Sequence, residues 1–376
     1  MRASIELPEI RELLARLVTI ESVNPTLVAG GAGEAQIARV VADWLERNGV
    51  GVEYQDLGES RANVIGRVAG HGDGRSLLLN AHLDTVGLGG DDAGLSPRVD
   101  GNRLYGRGTY DMKGSLSVIM LVAAAVAERP LSGDLIVTAV ADEEAYSIGT
   151  EAVARTVSTD AAIVAEPTEM RIALAHKGFV WLEVATDGVA AHGSRYDLGV
   201  DAIARMGPAL VGLAELDERL RVYGDPHPLL GGPSLHASLI EGGQELSTYP
   251  DRCLLKVERR TLPGETAADV EPQLAAVAGE HAKVKTLFVR EPLETARDES
   301  IVEALVEQAS AILDRPPEMI GVPFWTDAAL LSAAGIPTVV FGPGGEGAHA
   351  DVEWVDLDDL VKLAQILLAT ATAFCD

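Results

Sequence analysis

Several apolar runs in this chain end abruptly in residues that bind cations or move protons. Leu77 to Ala81 leads into His82-Leu83-Asp84-Thr85, Leu135 to Val140 leads into Asp142-Glu143-Glu144, and Ala161 to Ala165 leads into Glu166-Pro167-Thr168. Near the C-terminus a glycine-rich stretch after Phe341 delivers His349 beside Asp351, and Gly106 to Gly114 sets Asp111 just ahead of a long apolar segment. If the runs are buried strands, period-two alternation puts His82 and Asp84 on one side. Open α/β sheets carry their ligand sites at the carboxyl ends of such strands. Unpaired carboxylates there crowd like charge where water is scarce, a condition relieved by proton uptake or a bound cation. Two histidines and three or four carboxylates suit divalent zinc, cobalt or manganese, with a bridging carboxylate if two ions are held.

The elements that must position these groups follow from periodicity. Helical spacing covers residues 7–19 and 34–48, and strands are expected at 76–81, 134–141 and 161–164, with a buried helix after Met112. Apolar strands alternating with helices imply an α/β sheet covered on both faces. The pattern changes near Lys177. From 178 to 290 the order is strand, helix (199–217), two strands through 254–257, helix (266–279) and strand (284–289), which predicts a compact α+β unit. The α/β pattern then resumes with a helix over 300–313, a strand over 338–341 and a helix over 356–373. The expected organisation is therefore a discontinuous first domain, 1–177 and 291–376, interrupted by an inserted domain, 178–290.

Composition narrows the function classes. The 376 residues hold 57 acidic against 30 basic side chains, a net charge of −27, and are 47% hydrophobic. That apolar content rules out an acidic disordered chain. The charge disfavours nucleic acid and anionic membrane as partners, because both are polyanions. The uncharged run 114–127 is shorter than the roughly 20 residues a bilayer-spanning helix needs. Cys253 and Cys375 are the only cysteines, so a metal must be held by His, Asp and Glu, and a cytoplasmic setting is expected. Charged residues interrupt the first 20 positions, which read as an amphipathic helix rather than a signal peptide. Gly342 to Gly347 matches a G-x-G-x-x-G string, but it opens no helix and places Glu346 where phosphates would sit, so no nucleotide cofactor is expected.

In order, the motifs Asn80 to Val86, Gly106 to Gly114, Asp142-Glu143-Glu144, Ala165 to Thr168 and Gly347 to Asp351 resemble the M20 metallopeptidases and deacylases. The resemblance covers nearly the whole chain and implies a zinc-peptidase-like catalytic domain, with helices on both faces of a mixed sheet, plus an inserted lid and dimerisation domain. It further implies two divalent ions, zinc first and cobalt or manganese as alternatives, bridged by Asp111. His82 and Glu166 would complete one ion, Glu144 and His349 the other. Asp84 would accept the second ring N–H of His82, and Glu143 would be the general base on a metal-bridging water. In the lid, His192 matches a histidine that reaches the partner subunit's active site to stabilise the oxyanion. Arg260, with Arg259 as its rival, matches an arginine that grips the substrate carboxylate. Ser247 stands where the family commonly has Asn, and Ser115 where it commonly has Gly.

The activity so implied is removal of an N-acyl group from an amino acid, as in acetylornithine deacetylases, succinyl-diaminopimelate desuccinylases and aminoacylases, by a homodimer. The alternatives are a di- or carboxypeptidase acting on a short peptide, and a non-catalytic relative that binds metal or an amino acid. Glu166 favours the deacylases, since family peptidases often carry Asp there. Trp325, Thr326 and Asp327 are expected near the pocket without an assigned role.

Overall fold

A computed structural model describes residues 5–89 and 92–376 and divides them into two compact units. One comprises the residues up to Leu174 with Thr295–Ile320 and Thr326–Asp376; the other comprises Ala175–Glu294 and Gly321–Trp325. Gly321–Trp325, expected from sequence in the discontinuous domain, groups instead with the inserted unit.

The first unit is built on a mixed sheet in the order Gly51–Gly58, Arg61–Val68, Leu135–Val140, Leu77–His82, Ala161–Val164, Thr338–Val340 and Ile172–His176. The four strands from Leu135–Val140 to Thr338–Val340 are mutually parallel, and their flanking neighbours are antiparallel. Every residue of these four is buried, which is why they read as unbroken apolar runs. The hairpin Gly51–Val68 escapes that reading, because its outer strand alternates polar and apolar residues and stays partly exposed.

Chain direction sets where a ligand can sit. From Leu77–His82 the chain crosses through the helix Gly114–Glu128 to Leu135–Val140 on one side. It then returns through the helix Ile148–Thr156 to Ala161–Val164 on the other side. Right-handed crossovers in opposite senses put those helices on opposite faces, and the reversal opens a crevice at the strands' carboxyl ends. The helix Gly114–Glu128 is apolar all round and lies between the sheet and the helices Leu7–Val18 and Leu357–Cys375. The segment Thr109–Glu128 is long and apolar enough to cross a bilayer by length and composition, but most of it is buried inside the unit. A small antiparallel ribbon pairs Arg98–Asp100, Arg103–Tyr105, Trp354–Asp356 and Gly345–Glu346.

The second unit is a four-stranded antiparallel sheet in the order Ser234–Gly242, Arg252–Thr261, Gly178–Asp187 and Ala282–Arg290. Helices Ala202–Tyr223 and Ala267–Val277 cover one face, around Leu182, Val184, Met206, Leu213, Leu255, Val257 and Leu274. The chain order strand, helix, strand, strand, helix, strand is a split βαβ arrangement. Alternation along Gly178–Asp187 buries Leu182 and Val184 and turns Trp181 and Glu183 to the opposite face.

Candidate metal centre

The ends of the three central strands and two loops bring the first unit's charged groups together. His82 closes its strand and is buried. Its Nδ1 lies 2.9 Å from the carbonyl oxygen of Asp84, and its Nε2 lies 3.0 Å from Asp111 Oδ1 and 3.7 Å from Glu166 Oε1. The second oxygen of Asp111 faces His349 Nε2 at 3.4 Å, and that nitrogen is 2.9 Å from Glu144 Oε2. Asp111 thus presents one carboxylate oxygen to each histidine. Glu143 joins His82 and Glu166 in one group whose ligand atoms lie within 4.8 Å of one another, and His82, Asp111 and Glu144 form another.

The charges of this cluster are poorly balanced by what surrounds them. Burial, then the neighbouring Glu166, pushes the Glu143 carboxyl well above the usual carboxylate range. Burial does the same to Glu166, and burial with Asp111 raises Glu144 to about 7. Burial also opposes ionisation of Asp111, yet hydrogen bonds from His349 and His82 hold it below its ordinary value. His349 is raised to about 10 by its contacts with Asp111 and Glu144. His82 rises well above its usual value, although burial works against its charged form, because Asp111, Glu166 and Asp84 face it. Glu144 Oε1 is buried and has no hydrogen-bond partner. Four carboxylates and two histidines, with the Asp111 carboxylate split between the histidines and one buried Glu144 oxygen orphaned, are the donor set that divalent cations complete.

The groups behind the cluster were not all evident in the sequence. Asp84 does not spend its carboxylate on His82, whose ring N–H goes to the Asp84 carbonyl; the nearer carboxylate oxygen is 3.5 Å away. That carboxylate accepts the backbone N–H groups of Glu143 and Glu144, both at 3.1 Å, and so holds the turn carrying two of the cluster's acids. The expected ring contact gives way because a buried carboxylate gains more from two fixed main-chain donors aimed at it. Asn24 donates to Asp84 at 2.8 Å and to Asp142 at 2.9 Å. Arg61 pairs with Glu34 and Asp142, both at 2.9 Å, and donates to Asn24 Oδ1 and Thr26. Asn24, Arg61, Asp84 and Asp142 are far apart in sequence, and no local pattern links them.

The remaining candidates take other places. Asp327 belongs to the first unit and is buried, accepting the Thr150 hydroxyl at 2.6 Å; burial raises its carboxyl to about 7. Thr326 is buried, and Trp325, in the second unit, donates its indole N–H to the Glu291 carbonyl. His192 and Arg260 also lie in the second unit. His192 is exposed, its Nδ1 2.8 Å from the Ser194 hydroxyl, and the Ser247 carbonyl accepts the N–H of Gly193 beside it. Arg260 bonds Glu258 and lies over the Phe179 ring with part of its side chain accessible. Its rival Arg259 is fully buried and committed to Glu265. The glycine-rich loop is shaped by packing rather than by a phosphate cradle, since a Cβ on Gly342 would fall 2.2 Å from the Glu166 carbonyl oxygen.

A family model described as peptidase family M20/M25/M40 matches residues 78–373. The chain belongs to this family. As an M20 member it is a metal-dependent hydrolase of linear amide bonds. Acetylornithine deacetylase of Photorhabdus laumondii subsp. laumondii is similar to it, at 29% identity over 391 residues covering 99% of each chain. Among solved structures, aminopeptidase PepT from Bacillus cereus ATCC 10987 shares the fold with a TM-score of 0.81 at 20% identity, covering 99% of this chain and 100% of the other. The YXEP protein of Bacillus subtilis, a dinuclear metal-binding peptidase, matches with a TM-score of 0.73 at 17% identity, covering 98% of each chain.

Two outcomes follow for this M20 hydrolase. Arg61→Met leaves Glu34 and Asp142 buried without their cation and should lower unfolding free energy by about 3 kcal/mol, read by urea denaturation of the wild type and the variant. Adding zinc or cobalt to chelator-treated protein should raise Tm, and Asp111→Asn should lose most of that rise; an equal shift in both proteins, measured by scanning calorimetry, contradicts a site centred on Asp111.

Proposed function

We propose that this hydrolase holds two divalent ions, zinc by preference, and removes an N-acyl group from an amino acid in the manner of an acetylornithine deacetylase. The observation that carries the reading is the placement of the two Asp111 oxygens, one toward His82 and one toward His349. His82 and Glu166 would hold one ion, Glu144 and His349 the other, and Asp111 both. Bound there, the ions supply a Lewis acid for the acyl carbonyl and lower the pKa of a water. Glu143 is the proton carrier: its carboxylate takes a proton from the attacking water and returns it to the departing amine nitrogen. Asp84, through the N–H groups of Glu143 and Glu144, keeps base and ligand in one fixed turn. The N-acyl amino acid reading is supported by Glu166 and by the length and coverage of the deacetylase match.

Two second-unit residues complete the proposal. Arg260, with its guanidinium partly accessible, suits a bidentate grip on the substrate's carboxylate, and His192 suits stabilisation of the oxyanion from the partner subunit. Dimerisation through this unit is supported by its edge strand Ser234–Gly242, which leaves Leu239 70% and Ile240 54% exposed. An open apolar edge of that kind is a template for pairing with a second strand.

The test is hydrolysis by the metal-restored chain of acetyl-ornithine, acetyl-lysine, succinyl-diaminopimelate, other acyl amino acids and a panel of di- and tripeptides. Acyl amino acids should be the better substrates in kcat/KM; peptides alone being cleaved would turn the reading to a peptidase. Glu143→Gln should keep its metal and lose roughly 10³-fold in kcat, and full activity would remove it as the base. His192→Ala mixed with Glu143→Ala should recover activity in hybrid dimers, since one of the two sites then holds both residues; no recovery in verified hybrids points to a site complete within one chain.

A further inference from the structure

A second buried ion pair sits in the first unit outside the metal cluster, and neither partner was singled out by sequence. Arg107 and Glu353 are 246 positions apart and both almost fully buried, with Arg107 Nη1 2.8 Å from Glu353 Oε2. The same Oε2 accepts the N–H of Gly108 at 2.9 Å, and Oε1 accepts those of Tyr110 and Asp111 at 2.9 and 3.0 Å. Gly108 has φ +78°, the left-handed conformation that lets neighbouring N–H groups converge into an anion-binding concavity. Here the anion is the chain's own Glu353, and both carboxylate oxygens are fully used.

The arginine extends the clamp to the other loops. Its Nη2 donates to the Ala350 carbonyl, next to His349, and its Nε to the Gly87 carbonyl in the loop that follows His82. The ribbon sets the register, with Trp354 opposite Tyr105 and the Gly106 N–H bonded to the Glu353 carbonyl. One ion pair therefore touches the three segments that carry His82, Asp111 and His349, and it meets Asp111 through the backbone N–H rather than the carboxylate.

We propose that Arg107 and Glu353 are positioning residues that fix the Asp111 carboxylate between the two histidines, and so set the affinity of the two-ion site. The inference rests on the two-ion reading above. Groups that orient metal ligands in this way typically change metal affinity or activity by roughly 10- to 100-fold when replaced. Gln at 353 keeps the shape but turns an N–H₂ group toward donors, and Lys at 107 keeps the charge but cannot serve three acceptors in a planar fork.

Full-length protein, stripped with chelator, is titrated with cobalt and followed by visible absorption and calorimetry in the wild type, Glu353→Gln and Arg107→Lys. Wild type should take up two ions. Glu353→Gln should retain its far-UV circular dichroism, bind the weaker ion about 10- to 100-fold less tightly and show an altered cobalt spectrum, with kcat reduced and KM within about threefold. Two ions bound with wild-type affinity and spectrum by folded Glu353→Gln would overturn the positioning role alone. No cobalt uptake by the wild type would overturn the two-ion reading and this inference with it. If Glu353→Gln does not fold, Arg107→Lys decides by the same readouts.

Discussion

Buried negative charge is the constraint around which the first unit is arranged. His82, Asp111, Glu143, Glu144 and Glu166 meet where the sheet ends and water is scarce, and most of these acids hold protons more tightly than free carboxylates do. The anions behind them each have a cation or N–H partner, with one oxygen of Glu34 left unpartnered. Asp84 meets two main-chain N–H groups and Asn24, Glu34 and Asp142 meet Arg61, and Glu353 meets Arg107 with three more N–H donors. Among the described residues, the ion-pair partners of the central acids are the two histidines. A protein interior tolerates that arrangement when cations join it, and the orphaned oxygen of Glu144 is where the deficit is most visible.

The fold makes such crowding affordable to position. Parallel strands all point their carboxyl ends to one edge, and reversal of crossover sense at Leu77–His82 opens space there. Three of the four parallel strands are followed within four positions by acids, Asp84 after Leu77–His82, Asp142 to Glu144 after Leu135–Val140 and Glu166 after Ala161–Val164, so their placement inherits the rigidity of the sheet. The loops that bring Asp111 and His349 have no such backing. Their order comes from the ribbon of Arg103–Tyr105 with Trp354–Asp356 and from the Arg107–Glu353 pair beneath it.

The acidic surplus has two unlike components. A small set of buried acids accounts for the site, whereas most of the 57 lie elsewhere along the chain and are spread through helices and loops that face water. The first set is specific in geometry and drives chemistry. The second acts through long-range field, disfavouring polyanions, and carries no information about which amide is cleaved.

The alternation of apolar strands and helices, the ordered motifs and the bounds of the long buried elements were legible in the sequence, because a buried strand or helix stripe and the charged residue that ends it are local signals. Leu77–His82, Leu135–Val140 and Ala161–Val164 follow from their apolar runs, and the charged residues at or after such runs mark His82, Asp84, Asp111, Asp142 to Glu144, Glu166, His349 and Asp351 as candidates, among which the family resemblance selects the ligands. The polar-edged hairpin Gly51–Val68 carried no such signal. Only the tertiary structure decided that Asp84 holds the Glu143–Glu144 turn rather than the His82 ring, that Arg61 answers Asp142, that Trp325 groups with the inserted unit, and that Arg107 meets Glu353 across 246 positions. Periodicity reports which face of an element is buried. Which distant donor meets a given carboxylate depends on strand order and loop path, and these are fixed only when the sheet assembles.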